Sequence, residues 1–412
     1  MGALSGIRVL DLSRVLAGPW CGQILADLGA EVIKIERPGS GDDTRGWGPP
    51  WMQDAQGHSS GEAAYYLSAN RGKYSVAVDL SSTEGQQLVR ALAASSDVLI
   101  ENYKAGSLAR YGLDYASLAQ LNPRLVYCSI TGFGQTGPRA EEPGYDFIIQ
   151  GLGGLMSITG ERDDLPGGGP QKAGVAVADL MTGLYSTIAI QAALIDREKT
   201  GKGQHCDMAL FDVQLATLGN QSMNYLASGK VPGRYGNAHA NIVPYQVFRA
   251  ADRDFIIACG NDSQFIALCK VIDLPELLED VRFIRNADRV KHRDELVEIL
   301  TRHFLGASAD EWVKRIHAVK VPVGAINNIA QALAEPQAHA REMLVPLTHP
   351  LNPEFAMVGS PIKLSGSPVQ YQRPPPVLGQ DTDAVLAERL GLDEAELAQL
   401  KEQGVIEQSS IK

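Results

Sequence analysis

Arg8-Val9-Leu10-Asp11-Leu12, Gly18-Pro19 opening an apolar stretch that stops at Gly29, then Glu31-Val32-Ile33-Lys34-Ile35: this opening unit decides the fold. Two short β-branched runs flank one helical stretch, the order of a strand, a crossover helix and a parallel strand. The sequence predicts Pro19 at the first helical position, where a missing N–H costs nothing. It predicts Gly29 just past the helix end, where backbone freedom closes the last turn. Working outward, Ser75–Leu80, Val98–Glu101 and Leu125–Ile130 also read as strands, and Ser81 with Glu84 reads as a capping box for the helix before Val98. The predicted class is α/β with a mainly parallel sheet.

The same unit imitates the start of a dinucleotide-binding fold, with Glu36 where an acid would hold a ribose. The turn excludes that function: Leu16-Ala17-Gly18-Pro19-Trp20-Cys21-Gly22 lacks the G-x-G-x-x-G spacing that lets backbone approach a pyrophosphate, and Pro19 removes an amide donor. No Walker-type loop, zinc-ligand spacing or G-x-S-x-G elbow occurs. No metal and no permanently bound cofactor is expected.

The remaining chain divides by texture. Leu165-Pro166-Gly167-Gly168-Gly169-Pro170 precedes Asp179, which introduces a largely apolar segment to about Ile195. From Ala227 the pattern shifts to a hairpin-like pair, Tyr245–Phe248 and Phe255–Cys259, and then to amphipathic helices. We therefore expect a large domain from 1–226, a smaller α+β domain over 227–334, and a return segment, 335–412, that completes the large one. The 412 residues carry 48 acidic and 37 basic side chains, a formal net charge of −11. That balance argues against nucleic acid or an anionic membrane surface as partner, so an anionic ligand needs a local cluster of cations. No leader pattern opens the chain, no uninterrupted apolar run spans a bilayer, and the five cysteines form no CxxC pair. A cytoplasmic enzyme is the expectation.

Several motifs, in order, carry a resemblance. They are Leu16-Ala17-Gly18-Pro19, Leu28-Gly29-Ala30-Glu31 through Arg37-Pro38, Gly41-Asp42-Asp43-Thr44-Arg45, Asn70-Arg71-Gly72-Lys73, Glu101-Asn102-Tyr103, Gly132-Phe133-Gly134-Gln135-Thr136-Gly137-Pro138, Asp179 with Thr182-Gly183, and Lys199 through Gln204. Together they resemble the class III coenzyme A transferases over nearly the whole chain. Gly41–Arg45 in combination with Trp47-Gly48-Pro49-Pro50, His239–Gln246, Pro322–Asn328 and Arg373–Gln380 resembles the succinate–hydroxymethylglutarate, or succinyl-CoA:dicarboxylate, branch. The resemblance implies a large doubly wound, Rossmann-like domain built from both chain ends and an interlocked homodimer. It implies acyl-CoA and small carboxylic acids as partners, with coenzyme A as substrate rather than cofactor. Expected donor and acceptors are succinyl-CoA and glutarate, hydroxymethylglutarate or a malate or citramalate type of acid.

Carried over by motif, the resemblance places coenzyme A against Leu16, Ala17, Arg37, Val78, Asp79, Asn102, Tyr103, Lys104, Arg110 and Phe133. On its own Asp179 reads as a helix cap, since an aspartate there satisfies unpaired amides. The resemblance makes it the nucleophile, passing through an aspartyl anhydride and an aspartyl-CoA thioester. Glycines 167–169 and Gly260-Asn261-Asp262-Ser263 are candidate lids that would exclude water. Arg45 is the candidate cation for a second substrate carboxylate, with an ion pair to Asp42 or Asp43 as its structural alternative; Tyr145, His239 and Gly260 are candidate acyl contacts. The related α-methylacyl-CoA racemase needs a histidine in a G-H-D segment, where this chain has Gly144-Tyr145-Asp146. A phenol with an unperturbed pKa of about 10 is a poor substitute for imidazole. A non-catalytic CoA-binding protein is the remaining alternative.

Overall fold

The structure is a computed structural model and describes residues 2–411. Six parallel strands form the main sheet: β1 (Arg8–Asp11), β2 (Glu31–Glu36), β3 (Lys73–Val78), β4 (Val98–Glu101), β5 (Val126–Thr131) and β6 (His205–Ala209). Their spatial order is β3-β2-β1-β4-β5-β6, and Ile406–Glu407 adds an antiparallel seventh strand beside β3. Chain order therefore reverses between β1 and β4. In an open sheet of this kind, ligands bind outside the carboxyl ends of the strands at that reversal.

Alternation of side chains along the strands supplies both packing faces. Leu10, Ile33, Ile35 and Val76 join Val89 and Leu92 from the helix Thr83–Ala94. Val9, Val32, Val98 and Val126 face the other way, onto Cys21 and Leu25 of α1 (Ala17–Asp27) and Ile190 and Leu194. Burial on both faces is why these strands read as nearly unbroken apolar runs rather than as alternating ones.

Local predictions need three adjustments. Pro19 occupies the third position of α1, since Leu16 is the capping residue; its absent N–H still falls among the four amides that lack intrahelical partners. Ser82, not Ser81, caps the helix Thr83–Ala94 by accepting from Gly85 N–H, because Ser81 is bonded to the Asp79 carboxylate. The third strand runs Lys73–Val78, two residues earlier than expected at either end, and Asp79 already turns away from it. Gly29, at φ 102°, does close α1.

The chain separates into two compact units. The first comprises residues up to Leu155, Ala173–Ser222 and everything from Gln337. The second comprises Met156–Lys172 and Met223–Pro336. In the second, an antiparallel sheet of Tyr245–Arg249, Asp254–Ala258 and Val323–Ala325 packs with helices around Phe248, Phe255, Phe304 and Trp312.

One helix, α3 (Val177–Thr200), is long and apolar enough by composition to cross a membrane, which the sequence reading did not anticipate. In the fold it is the crossover before β6. Its buried face includes Thr182, Gly183, Ser186 and Thr187 as well as Ile190, and Thr187 Oγ1 bonds Cys21 of α1.

Candidate active site

The loop after β1 and the loop after β4 are tied across the chain reversal by one side chain. Asn102 Oδ1 accepts from Arg14 N–H at 2.8 Å, and its Nδ2 donates to Arg14 C=O at 2.6 Å. Both ends of the amide are thus committed, so Asn102 shapes the ligand loop instead of presenting its side chain to ligand. Beside it opens a cleft of about 360 Å³ lined by Arg14, Lys34, Arg37, Asp79, Tyr103 and Arg110, with Val78 at its wall. Arg37 and Arg110 come from different loops, and neither has a carboxylate within 4 Å among the described residues, unlike Arg14, which pairs with Asp43 at 3.0 Å. Two unneutralised guanidinium groups converging on one cleft suit a phosphate-bearing ligand. The main chain at Val78 and Asp79 is already engaged: Val78 pairs with Ile406, and Asp79 N–H donates to Val405 C=O. Arg37→Ala and Arg110→Ala are each expected to raise KM for acyl-CoA about tenfold with kcat unchanged, since each removes binding common to ground and transition states.

Asp179 is reached through a second set of contacts. At the end of β5, Gly132 and Gly144 pack backbone to backbone: a Cβ on Gly132 would lie 2.5 Å from Gly144 Cα. That approach delivers Asp146, the first residue of α2 (Asp146–Leu152), to the start of α3. Asp146 Oδ1 accepts from Ala178 N–H at 2.8 Å and Asp179 N–H at 3.3 Å, while its Oδ2 accepts from Gln150 Nε2 at 2.7 Å. Gln150 Oε1 in turn accepts from Ala173 N–H. The capping role expected of Asp179 therefore belongs to Asp146.

Asp179, third in α3 and half-buried, is left without a hydrogen bond or ion pair to its carboxylate among the described residues. Burial first, and then the charge of Asp146, push its pKa up to about 7. One turn along, Gly183 leaves no room for a side chain, because a Cβ would lie 2.7 Å from Ala17 C=O. The helix bearing Asp179 thus presses on the start of α1, where Leu16 and Ala17 are both buried. Tyr65, stacked edge-on against Trp47 at 5.2 Å, has its phenol pKa raised by burial and by the charges of Asp179 and Asp146.

The other expected contacts are dispersed. Phe133 is half-buried, with the Arg139 guanidinium 4.2 Å above its ring. Lys104 stands exposed on its turn, and Tyr145 is 64% exposed. His239 and Gly260 belong to the second unit, at one end of its hairpin: His239 N–H donates to Tyr245 C=O, and Gly260 N–H to Gln264 Oε1. Asn261 caps the helix Asp262–Val271, which fixes that loop rather than leaving it as a free lid.

Arg45 is a correction. It is buried, bidentate to Glu36 at 2.8 and 2.9 Å, paired with Glu62 at 2.9 Å and 3.6 Å from the centre of the Tyr66 ring. Two carboxylates already neutralise it, neither of them Asp42 or Asp43, so it offers no charge to a substrate. Glu36, held down to about 2 chiefly by Arg45 against the cost of burial, is a structural acid and not a ribose ligand.

Asp146 is the functional residue that sequence reasoning passed over; the only signal was its place in Gly144-Tyr145-Asp146. Asp146→Asn keeps an oxygen for the two amides and removes the charge, so the acid limb of the kcat/KM profile is expected to move below pH 7. Asp146→Ala, which loses the cap, is expected to cost about 1–2 kcal/mol of stability and to lower kcat/KM about tenfold or more. A pH profile with melting curves for both variants checks this.

A doubly wound α/β fold, a cationic cleft at the carboxyl edge of its sheet and an unpartnered carboxylate at a helix start define an enzyme for activated, phosphate-bearing carboxylic acids. Residues 4–382 match CoA-transferase family III, and the chain belongs to that family. It is 52% identical to a succinate–glutarate CoA-transferase of Agrobacterium fabrum, over 93% of this chain and 95% of the relative. It is 42% identical to the human succinyl-CoA:glutarate CoA-transferase, over 98% of this chain and 90% of that protein. Its fold is similar to the crystal structure of a CAIB/BAIF family protein from Brucella suis, with a TM-score of 0.83 and 49% identity, covering 94% of this chain and all of that one.

Proposed function

We propose that this enzyme moves coenzyme A between succinyl-CoA and a small dicarboxylate, with glutarate the first acceptor to test, and that Asp179 is the covalent nucleophile. The observation that carries the reading is the Asp179 carboxylate, half-buried yet unpartnered because Asp146 caps the helix in its place. An Asp179 oxygen attacks the thioester carbonyl, the C–S bond breaks, and CoA leaves as thiolate, giving a mixed anhydride of Asp179 and the donor acid. The thiolate then attacks the aspartyl carbonyl; the donor acid departs as carboxylate and an aspartyl-CoA thioester remains. The acceptor carboxylate attacks that thioester and releases the thiolate, which takes the acyl group from the second anhydride and restores Asp179. Each half-reaction passes through an anhydride but begins and ends on a thioester, so the covalent route keeps the acyl group activated throughout.

Names of relatives support the choice of acids: besides the glutarate enzymes, a protein of Chloroflexus aurantiacus, 33% identical, is a succinyl-CoA–D-citramalate CoA-transferase. Incubation with succinyl-CoA, hydroxylamine trapping and peptide mapping test the mechanism; recovery of an unmodified Asp179 peptide would sink it. The proton-exchange alternative has nothing to favour it here, since Tyr145 stands where that chemistry needs a histidine.

We further propose that the enzyme works as a homodimer. Leu184, Tyr185, Ile188 and Ile195 on α3, with Ile148 and Leu152 on α2, are exposed apolar side chains of the first unit. A second copy is the occupant the family resemblance supplies, rather than lipid. Sedimentation at the mass of one chain, or flotation with vesicles, would overturn it.

A further inference from the structure

Within the second unit, arginines are matched to acids almost without exception. Arg162 pairs with Asp164 and Asp294, Arg234 with Asp163, Arg249 with Asp254, Arg253 with Asp310 and Arg282 with Asp280. Arg285 pairs with Asp288, Arg289 with Asp262, Arg302 with Glu298 and Arg315 with Asp273. Arg293 alone has no carboxylate within 4 Å among the described residues, although it is 9% exposed and so among the most buried. Its Nη2 donates to His239 C=O at 2.8 Å and Ala240 C=O at 2.9 Å. Its guanidinium lies 5.1 Å from the centre of the Tyr235 ring, and its Nη1 is buried with no partner at all.

Such a group is costly. A guanidinium removed from water needs either an opposing charge or a full set of acceptors, and this one has neither. Nor does its position favour the charge: Arg293 is the first residue of the helix Arg293–Phe304, the end of a helix that repels cations. The side chain lines a cavity of about 460 Å³ together with Arg162, Arg234, Tyr235, Lys291 and His292, and with two carboxylates, Asp294 and Glu295. That space exceeds what a four- or five-carbon diacid needs, and both acids are already paired, Asp294 with Arg162 and Glu295 with Arg282 and His292, which leaves Arg293 as the unmatched charge. Because Nη2 is committed to the two carbonyls, the free donors are the two N–H groups of Nη1, which suit a carboxylate oxygen.

We propose that Arg293 binds the carboxylate of a small organic acid in this cavity of the second unit. The assignment is independent of the role given to Asp179, because its readout is binding. Calorimetric titration of the full-length wild-type enzyme with glutarate is expected to show affinity that weakens at least tenfold in Arg293→Met and about fivefold in Arg293→Lys. CoA affinity is expected to stay unchanged in both. Without acid, Arg293→Met is expected to melt at or above the wild-type temperature, since no unmatched charge remains buried. If Arg293 serves only as a clamp on His239 and Ala240, Arg293→Met melts lower and glutarate affinity does not move; that result overturns the proposal. Inorganic phosphate competing with glutarate at equal concentration would also overturn it. Should Arg293→Met not fold, equal glutarate affinity in wild type and Arg293→Lys is the overturning result. Absence of CoA exchange with glutarate would count against the proposed transfer reaction and leave this site untouched.

Discussion

Asp179→Ala is expected to lower CoA exchange between succinyl-CoA and glutarate by ~10⁴-fold or more while leaving CoA affinity within about threefold of wild type. Every proposed intermediate is an acyl derivative of this one carboxylate, so its removal leaves no shorter covalent route. The cleft we propose for CoA draws on Arg37 and Arg110, which owe nothing to Asp179. Initial rates with labelled acid, beside equilibrium binding of CoA, measure the two effects separately.

The same residue sets a pH signature. Attack requires the carboxylate, and burial with Asp146 holds the pKa near 7, so kcat/KM is expected to fall about tenfold per pH unit below that value. The linkage to stability has the opposite sense from the usual aspartate. Because the folded pKa lies above the unfolded value of 3.8, the fold favours the protonated form, and stability is lost as pH rises from about 4 through 7. Asp179→Asn is therefore expected to be more stable than wild type at pH 8 by ~1–2 kcal/mol, after allowance for partial exposure, with no gain at pH 4. A wild type more stable than the variant at pH 8 would contradict an unpartnered carboxylate.

What could be read beforehand depended on how local the determining contacts were. The parallel strands were legible because burial on both faces forces consecutive apolar residues, as in Val98 to Ile100. Arg37 and Arg110 stood out only through the family resemblance, and their lack of a neutralising acid became visible only once distant residues were placed. Arg45 shows the converse. Its charge was evident, yet the acids that neutralise it, Glu36 and Glu62, are brought to it by the strand β2 and a separate hairpin. Asp179 was legible as an acid at a helix start, whereas the division of labour with Asp146 was not. It arises from a glycine-to-glycine approach 12 residues apart in sequence, which no periodicity encodes. Arg293 lay outside every motif, and only the pairing of all other arginines in its unit made it stand out.

The largest stability effect is expected at Lys73. Its ammonium is fully buried and donates to Asp11 Oδ2, Pro19 C=O and Asn70 Oδ1, each at 2.9 Å, so all three protons are used. Gly22 packs over the pair, where a Cβ would lie 2.8 Å from Asp11 Oδ2. Asp11 also receives the Ser13 N–H and hydroxyl, which holds the loop at the chain reversal. Lys73→Ala would strand the Asp11 charge, free the Pro19 carbonyl and open a cavity that Gly22 cannot fill. The expected cost is about 3–5 kcal/mol, read from denaturant unfolding. Because Pro19 lies in the first turn of α1, CoA affinity is expected to fall as well. Lys73→Met combined with Asp11→Asn removes both charges and is expected to cost less than the two single changes summed, as for any buried pair whose members exist to neutralise each other. Additive costs in that cycle would mean that Lys73 acts through the Pro19 carbonyl alone, and that the loop carrying Ser13 and Arg14 is held without the ion pair.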